Sequence, residues 1–213
     1  MSRIIATRHL SLSSTVSARF PAMVLSMSRR CLRLTLHADE ALPTNLCWRV
    51  ESGYVWLARW NAEADPLTLG VWGPGEVVIP ELVGLSNLEL RTLSSVVVEE
   101  EEISNLMERE FLEDQLRQAA TLLLLSHVRP AESRLLQFLD WLGSRFGTMT
   151  SQGVMLKMGE KSLTHQQLAD IVGMTRVTVT KALTRFRNAG LVAGQGRGSL
   201  LLRIPASELP DDD

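Results

Sequence analysis

Residues 164–181 read THQQLADIVGMTRVTVTK, and this stretch decides the fold of the C-terminal part of the chain. Thr164 and Gln167 have the spacing of a capping box, in which each side chain bonds to the backbone amide of the other residue. Gly173 interrupts the helix that follows, at a point where a tight turn requires a positive φ. Thr175 is a suitable N-cap for a second helix. The stretch therefore predicts two short helices joined by a tight turn.

The second helix is expected to run from Arg176 to Asn188, with Gly190 just past its end. Its inward face is predicted to consist of Val179, Leu183 and Phe186. Ala169 is small enough to let the two helices approach each other. The small residue, the turn glycine, the N-cap and the buried face all occur at the spacing that a helix-turn-helix requires. The pattern therefore predicts a helix-turn-helix.

A glycine-rich segment follows the two helices. Strand-like residues 191–193 and 199–204 flank the sequence GQGRG at 194–198, which contains one cation, Arg197. A hairpin at this place predicts the wing of a winged helix-turn-helix, which would extend from about Lys157 to Ile204 within a DNA-binding domain at 130–206.

Polar and basic side chains lie near the start of the predicted second helix. Arg176 can donate two hydrogen bonds to a guanine edge, and Val177 can contact a thymine methyl group. Lys181 is expected to contact a base or a phosphate. A contact to a base reads the DNA sequence, whereas a contact to a phosphate sets only the register of the protein on the DNA. The predicted DNA-contacting residues are Arg176, Val177, Thr178, Lys181, Thr164, His165, Gln166 and Arg197.

Charge is distributed unevenly along the chain. The net charge is -2, but residues 39–110 carry 14 acids and 4 bases, whereas residues 157–204 carry 8 bases and 2 acids. A basic module that binds a polyanion, attached to an acidic module that does not, has this distribution.

Short β-like segments separated by glycine turns occupy the chain from about Cys31 to Ile103. The turns are expected at Ser52-Gly53, at Gly70 and at residues 73–75. The predicted strands are residues 33–36, 46–50, 54–58, 67–69 and 96–98. Regularly spaced short strands of this kind indicate a small all-β barrel or roll, assigned here to residues 31–105.

A long helix is predicted from about Leu106 to Val128, in a segment assigned to residues 106–129. Leu112, Leu116, Ala119, Leu123 and Ser126 recur at alternating spacings of four and three, as in a coiled-coil seam. Packing between subunits and packing of one amphipathic helix on its own domain both fit this pattern. Pro130 ends or kinks the helix, a further helix is expected at residues 131–146, and Gly147 has a plausible position for closing it. The predicted fold class is α+β: a β-roll, a long dimerisation helix and a winged helix.

Residues 164–181 resemble the corresponding segment of the Crp/Fnr superfamily of bacterial transcription regulators, and the resemblance extends from about Leu34 onward. The segment from Arg176 to Thr180 is most similar to the cyanobacterial global nitrogen regulator branch, in which arginine stands at the position of Lys181. The resemblance implies a homodimer that binds double-stranded DNA at a palindrome with GTA and TAC half-sites. It also implies contact with RNA polymerase.

The same resemblance suggests an effector site in the roll. Glu81, Arg91 and Thr92 resemble the phosphate-binding cassette of the cyclic-AMP receptor branch, and Arg129 matches an arginine that contacts 2-oxoglutarate in the nitrogen regulator. Pro80 departs from the cassette because it replaces a glycine and removes a backbone N–H. A cyclic nucleotide, a 2-oxo acid and no effector at all remain open.

Other function classes are less consistent with the sequence. A sensory or adaptor protein that uses its winged helix for protein contacts is the alternative, but its basic charge favours DNA. No enzyme motif is present, and no metal site is predicted, since two cysteines cannot ligate a cluster. Residues 1–30 are interpreted as an N-terminal extension, because residues 1–38 hold six arginines and no acid. No apolar run reaches the roughly 18 residues of a membrane span, and a cytoplasmic location is expected.

Overall fold

The computed structural model describes residues 31–60, 66–158, 163–194 and 198–203. The predicted N-terminal extension and Arg197 lie outside these residues. The roll is present and consists of two four-stranded antiparallel sheets. In spatial order the first sheet contains β1 (Arg33–Leu36), β8 (Val96–Glu100), β3 (Trp48–Ser52) and β6 (Val77–Val78). The second contains β2 (Ala41–Leu42), β7 (Leu88–Thr92), β4 (Val55–Trp60) and β5 (Pro66–Trp72). A 3₁₀ helix, Pro80–Val83, lies between β6 and β7.

Alternating side chains of the strands fill the space between the sheets. Val50 and Val98, which are opposite each other in β3 and β8, are fully buried there. Trp48 is also fully buried, and Trp72 stacks on Phe111 at 5.9 Å between ring centroids. The interior of the roll is therefore occupied by aromatic rings and branched aliphatic side chains.

The predicted long helix is present as α1 (Asn105–His127), and Ser104 caps it by accepting a hydrogen bond from the Met107 amide. Its three buried residues, Phe111, Gln118 and Leu125, are seven positions apart, and α1 packs on β5 of the roll. Gln118 Oε1 accepts from the Val71 amide at 2.8 Å. Because β5 is an edge strand, this bond satisfies a backbone donor that no neighbouring strand reaches.

Gly70 was expected at a turn, and that prediction is wrong. Gly70 lies inside β5, next to a register shift between Leu57 and Ala58 of β4. A Cβ at this position would lie 2.9 Å from Gln118 Oε1 and 2.5 Å from the Trp72 ring. Glycine is required here because helix and strand approach closely, and no tight turn is involved.

The C-terminal elements form the predicted winged helix. They are α2 (Ala131–Phe146), β9 (Gly147–Thr150), β10 (Gly153–Lys157), α3 (His165–Val172), α4 (Arg176–Asn188), β11 (Val192–Gly194) and β12 (Ser199–Leu202). The strands form one sheet in the order β11-β12-β10-β9. The β9–β10 hairpin was not predicted.

Gly147 closes α2 as predicted: it is the C-cap residue, its amide donates to the Gly143 carbonyl, and its φ is an ordinary -81°. A Cβ at Gly147 would lie 2.3 Å from Val154 Cγ1. The hairpin therefore requires glycine at this position because β10 packs against it.

The roll and the winged helix share one apolar cluster, which includes Tyr54, Trp56 and Leu93 of the roll together with buried residues of α2, α3 and α4. Hydrogen bonds reinforce this packing. The Thr68 hydroxyl donates to the Ile171 carbonyl at 2.7 Å, and Gln167 Nε2 donates to the Leu93 carbonyl at 3.0 Å. Helix α3 is therefore docked directly on the roll.

Arg145, at the end of α2, forms a second contact between the winged helix and the roll. Its guanidinium lies 2.7 Å from Glu76 Oε1, in the turn before β6, and 3.3 Å from Asp114 Oδ1 of α1. The ring of Trp141 lies against the same guanidinium. Burial raises the pKa of the Glu76 carboxyl even though Arg145 opposes that shift. Arg145 therefore links the roll, α1 and α2 through one largely buried charge.

Candidate nucleic-acid interface

The capping box of α3 forms as the sequence predicts. The Gln167 amide donates to Thr164 Oγ1 at 3.1 Å, and the Thr164 amide donates to Gln167 Oε1 at 2.9 Å. Gly173 ends the helix in the left-handed region at φ 67°, and Ala169 is fully buried where α3 and α4 meet. These local bonds fix the angle between the two helices.

Helix α4 has one buried and one exposed face. Thr175 caps it by accepting from the Thr178 amide at 3.2 Å, and Val179, Ala182, Leu183 and Phe186 are its buried residues. The exposed face has four bases and no acid, namely Arg176, Lys181, Arg185 and Arg187. Val177 is 63% exposed. The outer face of α4 thus presents positive charge with one apolar group near the helix N-terminus.

The imidazole of His165 is held at the junction of α3 and α4. Its Nδ1 lies 2.8 Å from Thr180 Oγ1, and the Thr180 hydroxyl itself donates to the Arg176 carbonyl at 2.9 Å. Because that proton is committed, Nδ1–H is the donor in the hydrogen bond between His165 and Thr180. Partial burial, together with the positive charges of Arg187 and Arg176, lowers the pKa of His165.

Arg187 was not among the predicted contacts. Arg176, Thr180, Thr184 and Arg187 follow one another at spacings of four, four and three, so they share one face of α4. Arg187 is exposed, and its charge reaches His165 of α3. The helical spacing from Arg176 is the signal that would have identified it.

The remaining predicted contacts occupy different environments. Gln166 is exposed and donates to Asp170 Oδ1 at 2.6 Å. Thr178 is half-buried, and its hydroxyl lies 2.8 Å from that of Thr175. Lys181 and Arg176 are exposed on the same helix. All the predicted contacts that lie within the described residues are therefore on α3, at its N-cap or on α4, and their role in DNA binding stays a prediction.

The residues predicted to bind an effector are arranged less favourably. Thr92 is fully buried, its hydroxyl donates to the His37 carbonyl, and its oxygen accepts from the Glu40 amide at 3.0 Å. Arg91 pairs with Glu89 at 2.8 Å, and its Nε is buried without a hydrogen-bond partner among the described residues. Glu81, in the 3₁₀ helix, and Arg129, before α2, are both exposed. Their role in effector binding stays a prediction, and Thr92 would have to give up its present bonds to join them.

A winged helix with a basic, exposed second helix defines a DNA-binding protein of the helix-turn-helix class. A family model described as a Crp-like helix-turn-helix domain matches residues 133–206. The regulatory protein CysR of Synechococcus elongatus is 36% identical over 180 residues, which cover 84% of this chain and 87% of that protein. The chain therefore belongs to the Crp/Fnr family of transcription regulators.

Two further similarities concern the branch and the fold. The global nitrogen regulator of Synechococcus elongatus is 31% identical over 111 residues, 52% of this chain and 48% of that protein. The match to CysR is longer and has higher identity, so the predicted nitrogen-regulator branch is not confirmed. A CRP-family transcriptional regulator from Thermus thermophilus has a TM-score of 0.64 at 20% identity, covering 82% of this chain and 93% of that one. At this identity the structural match supports the fold alone.

None of the helices in the described parts of the chain is long and apolar enough to span a bilayer.

Proposed function

We propose that the chain acts in the cytoplasm as a homodimer that binds a palindromic DNA site. The observation that carries this proposal is an apolar strip along α1. Leu112, Leu116 and Leu123 are 47%, 72% and 61% exposed, whereas Phe111, Gln118 and Leu125 occupy the side that faces the roll. The three leucines of the predicted seam are thus exposed on α1 within the described part of the chain.

A second copy of the chain is the natural partner for this strip. Leucines at coiled-coil spacing insert between the same residues of an identical helix, which gives a two-fold symmetric interface. Such a dimer carries two copies of α4, and two-fold related recognition helices read two inverted half-sites. The palindrome therefore follows from the symmetry of the dimer.

Within each half-site we assign base contacts to Arg176, Val177 and Lys181. Arg176 and Val177 occupy the first turn of α4, where recognition helices reach base edges. Thr164, His165 and Gln166 lie at the start of α3 and are assigned to the phosphate backbone, as is Arg197, which lies outside the described residues. GTA and TAC half-sites remain the expectation from the segment 176–180, and contact with RNA polymerase stays a prediction.

We further propose that the roll supports α1 and does not enclose a nucleotide. The large rings of Trp48 and Trp72 are each no more than 1% exposed, and Phe111 of α1 packs against Trp72. A nucleotide entering between the sheets and α1 would have to displace these rings, which costs the free energy of their burial.

The salt dependence of binding to duplex DNA tests the DNA-binding proposal. Neutralised phosphates release counterions, so the logarithm of the binding constant should fall linearly with the logarithm of the salt concentration. The slope should be about -0.9 for each phosphate contacted. Fluorescence anisotropy with a labelled duplex at several salt concentrations measures this slope. A flat plot would instead favour the adaptor function, in which the winged helix contacts protein.

A further inference from the structure

A cavity of about 170 Å³ lies where the roll, α1, α2 and α3 meet. Residues from all four parts of the fold line it, so a molecule bound there would contact both the roll and the helix-turn-helix. The lining residues that matter to the argument are Leu67, Thr68, Leu125, Ser126, Arg134 and Ile171.

The lining is mostly apolar, and most of its polar groups are already bonded. The Thr68 hydroxyl donates to the Ile171 carbonyl, and the Ser126 hydroxyl donates to the Leu123 carbonyl at 2.6 Å. Arg134 differs from them, because its Nε is buried and has no hydrogen-bond partner among the described residues. A buried guanidinium nitrogen without a partner is costly, and a carboxylate is the group that would satisfy the Arg134 head group best once it turns toward the cavity.

The position of Arg134 adds to the preference for an anion. Arg134 lies in the first turns of α2, where the helix dipole is positive. Glu132, the acid of the first turn, pairs with Arg185 of α4 and is therefore engaged elsewhere. The cavity thus combines an apolar body with one cationic edge.

We propose that this cavity binds a small monocarboxylate with a compact apolar body, of the size of benzoate or a branched-chain acid. A cavity of about 150 Å³ accommodates a benzene ring, so a ring-sized body fits the apolar part while its carboxylate pairs with Arg134. The ligand would contact Leu67 and Thr68 of the roll as well as Ile171 of α3. Its binding therefore stabilises the arrangement in which α3 is docked on the roll.

Benzoate titrated into the full chain, without DNA, tests this proposal. Methyl-resolved NMR should show saturable shifts at Ile171 and Leu125, which locate the binding. Arg134→Gln should weaken binding about tenfold, the factor that one charge-assisted hydrogen bond carries. Arg109→Gln is the matched control, because Arg109 is exposed on α1, pairs with Glu113 and does not line the cavity; it should bind like the wild type.

Two probes separate the contributions of charge and shape. Benzamide keeps the ring without the charge, and acetate keeps the charge without the ring, so both should bind at least about tenfold more weakly than benzoate. If Arg134→Gln does not fold, Arg134→Lys keeps the positive charge and should retain measurable binding. The proposal is overturned if the wild type shows no saturable shifts at millimolar benzoate, or if benzamide binds as well as benzoate. Failure here would leave the DNA-binding proposal untouched, since no DNA is present.

Discussion

Replacing Arg176 with alanine is expected to relax the base preference at one position in each half-site and to cost roughly 1–3 kcal/mol of specific binding. The guanidinium at this position is exposed at the first residue of α4, and no acid on that helix competes for it. The variant loses a bidentate contact to guanine, and such a contact discriminates between bases. A phosphate contact from the same residue would not discriminate between bases.

Anisotropy titrations with a preferred site and with singly substituted sites measure this change. Arg33→Ala is a suitable control, because Arg33 pairs with Glu51 on the roll and lies on β1, outside the winged helix. Uniform weakening of the Arg176→Ala variant on all sequences, with base preference intact, would mean that Arg176 holds phosphate.

Leu116→Glu is expected to convert the proposed dimer into a monomer. Leu116 is 72% exposed in the single chain, so the substitution should leave the fold intact. In a symmetric dimer two leucines lose their burial, at roughly 1.5 kcal/mol or more each, which raises the dissociation constant of the dimer about a hundredfold. Like charges placed opposite each other weaken the interface further.

Sedimentation velocity measures the oligomeric state of this variant, and circular dichroism checks its fold. Met149→Glu is the matched control, because Met149 is 70% exposed on β9, away from α1. The assignment of α1 as the dimer interface would be wrong if Leu116→Glu remained dimeric, or if Met149→Glu dissociated equally.

The helix-turn-helix was predictable because its determinants are local. The caps at Thr164 and Thr175, and the turn at Gly173, act over three or four residues, so their spacing in the sequence is sufficient to place both helices. Five of the eight strands of the roll were predicted from clustered or alternating β-forming residues, whereas β2, β6 and β7 were not predicted.

The docking of α3 on the roll could not be predicted in this way. Gln167 completes the capping box with Oε1 of its side-chain amide. Nε2 of the same amide donates to the carbonyl of Leu93, 74 residues earlier in the chain. Gly70 was misassigned to a turn for a related reason: a Cβ there would meet Gln118 of α1, which is distant in the sequence, as well as Trp72 of the same strand. Contacts between distant residues leave no periodic signal in the sequence.

We propose that two copies of this chain together read a symmetric DNA site. The decisive experiment is selection of bound sequences from a random duplex pool with the wild-type chain. We expect enrichment of an inverted repeat, with the half-site centres about one helical turn apart. Enrichment of a single unrepeated half-site, or of no sequence, would contradict it.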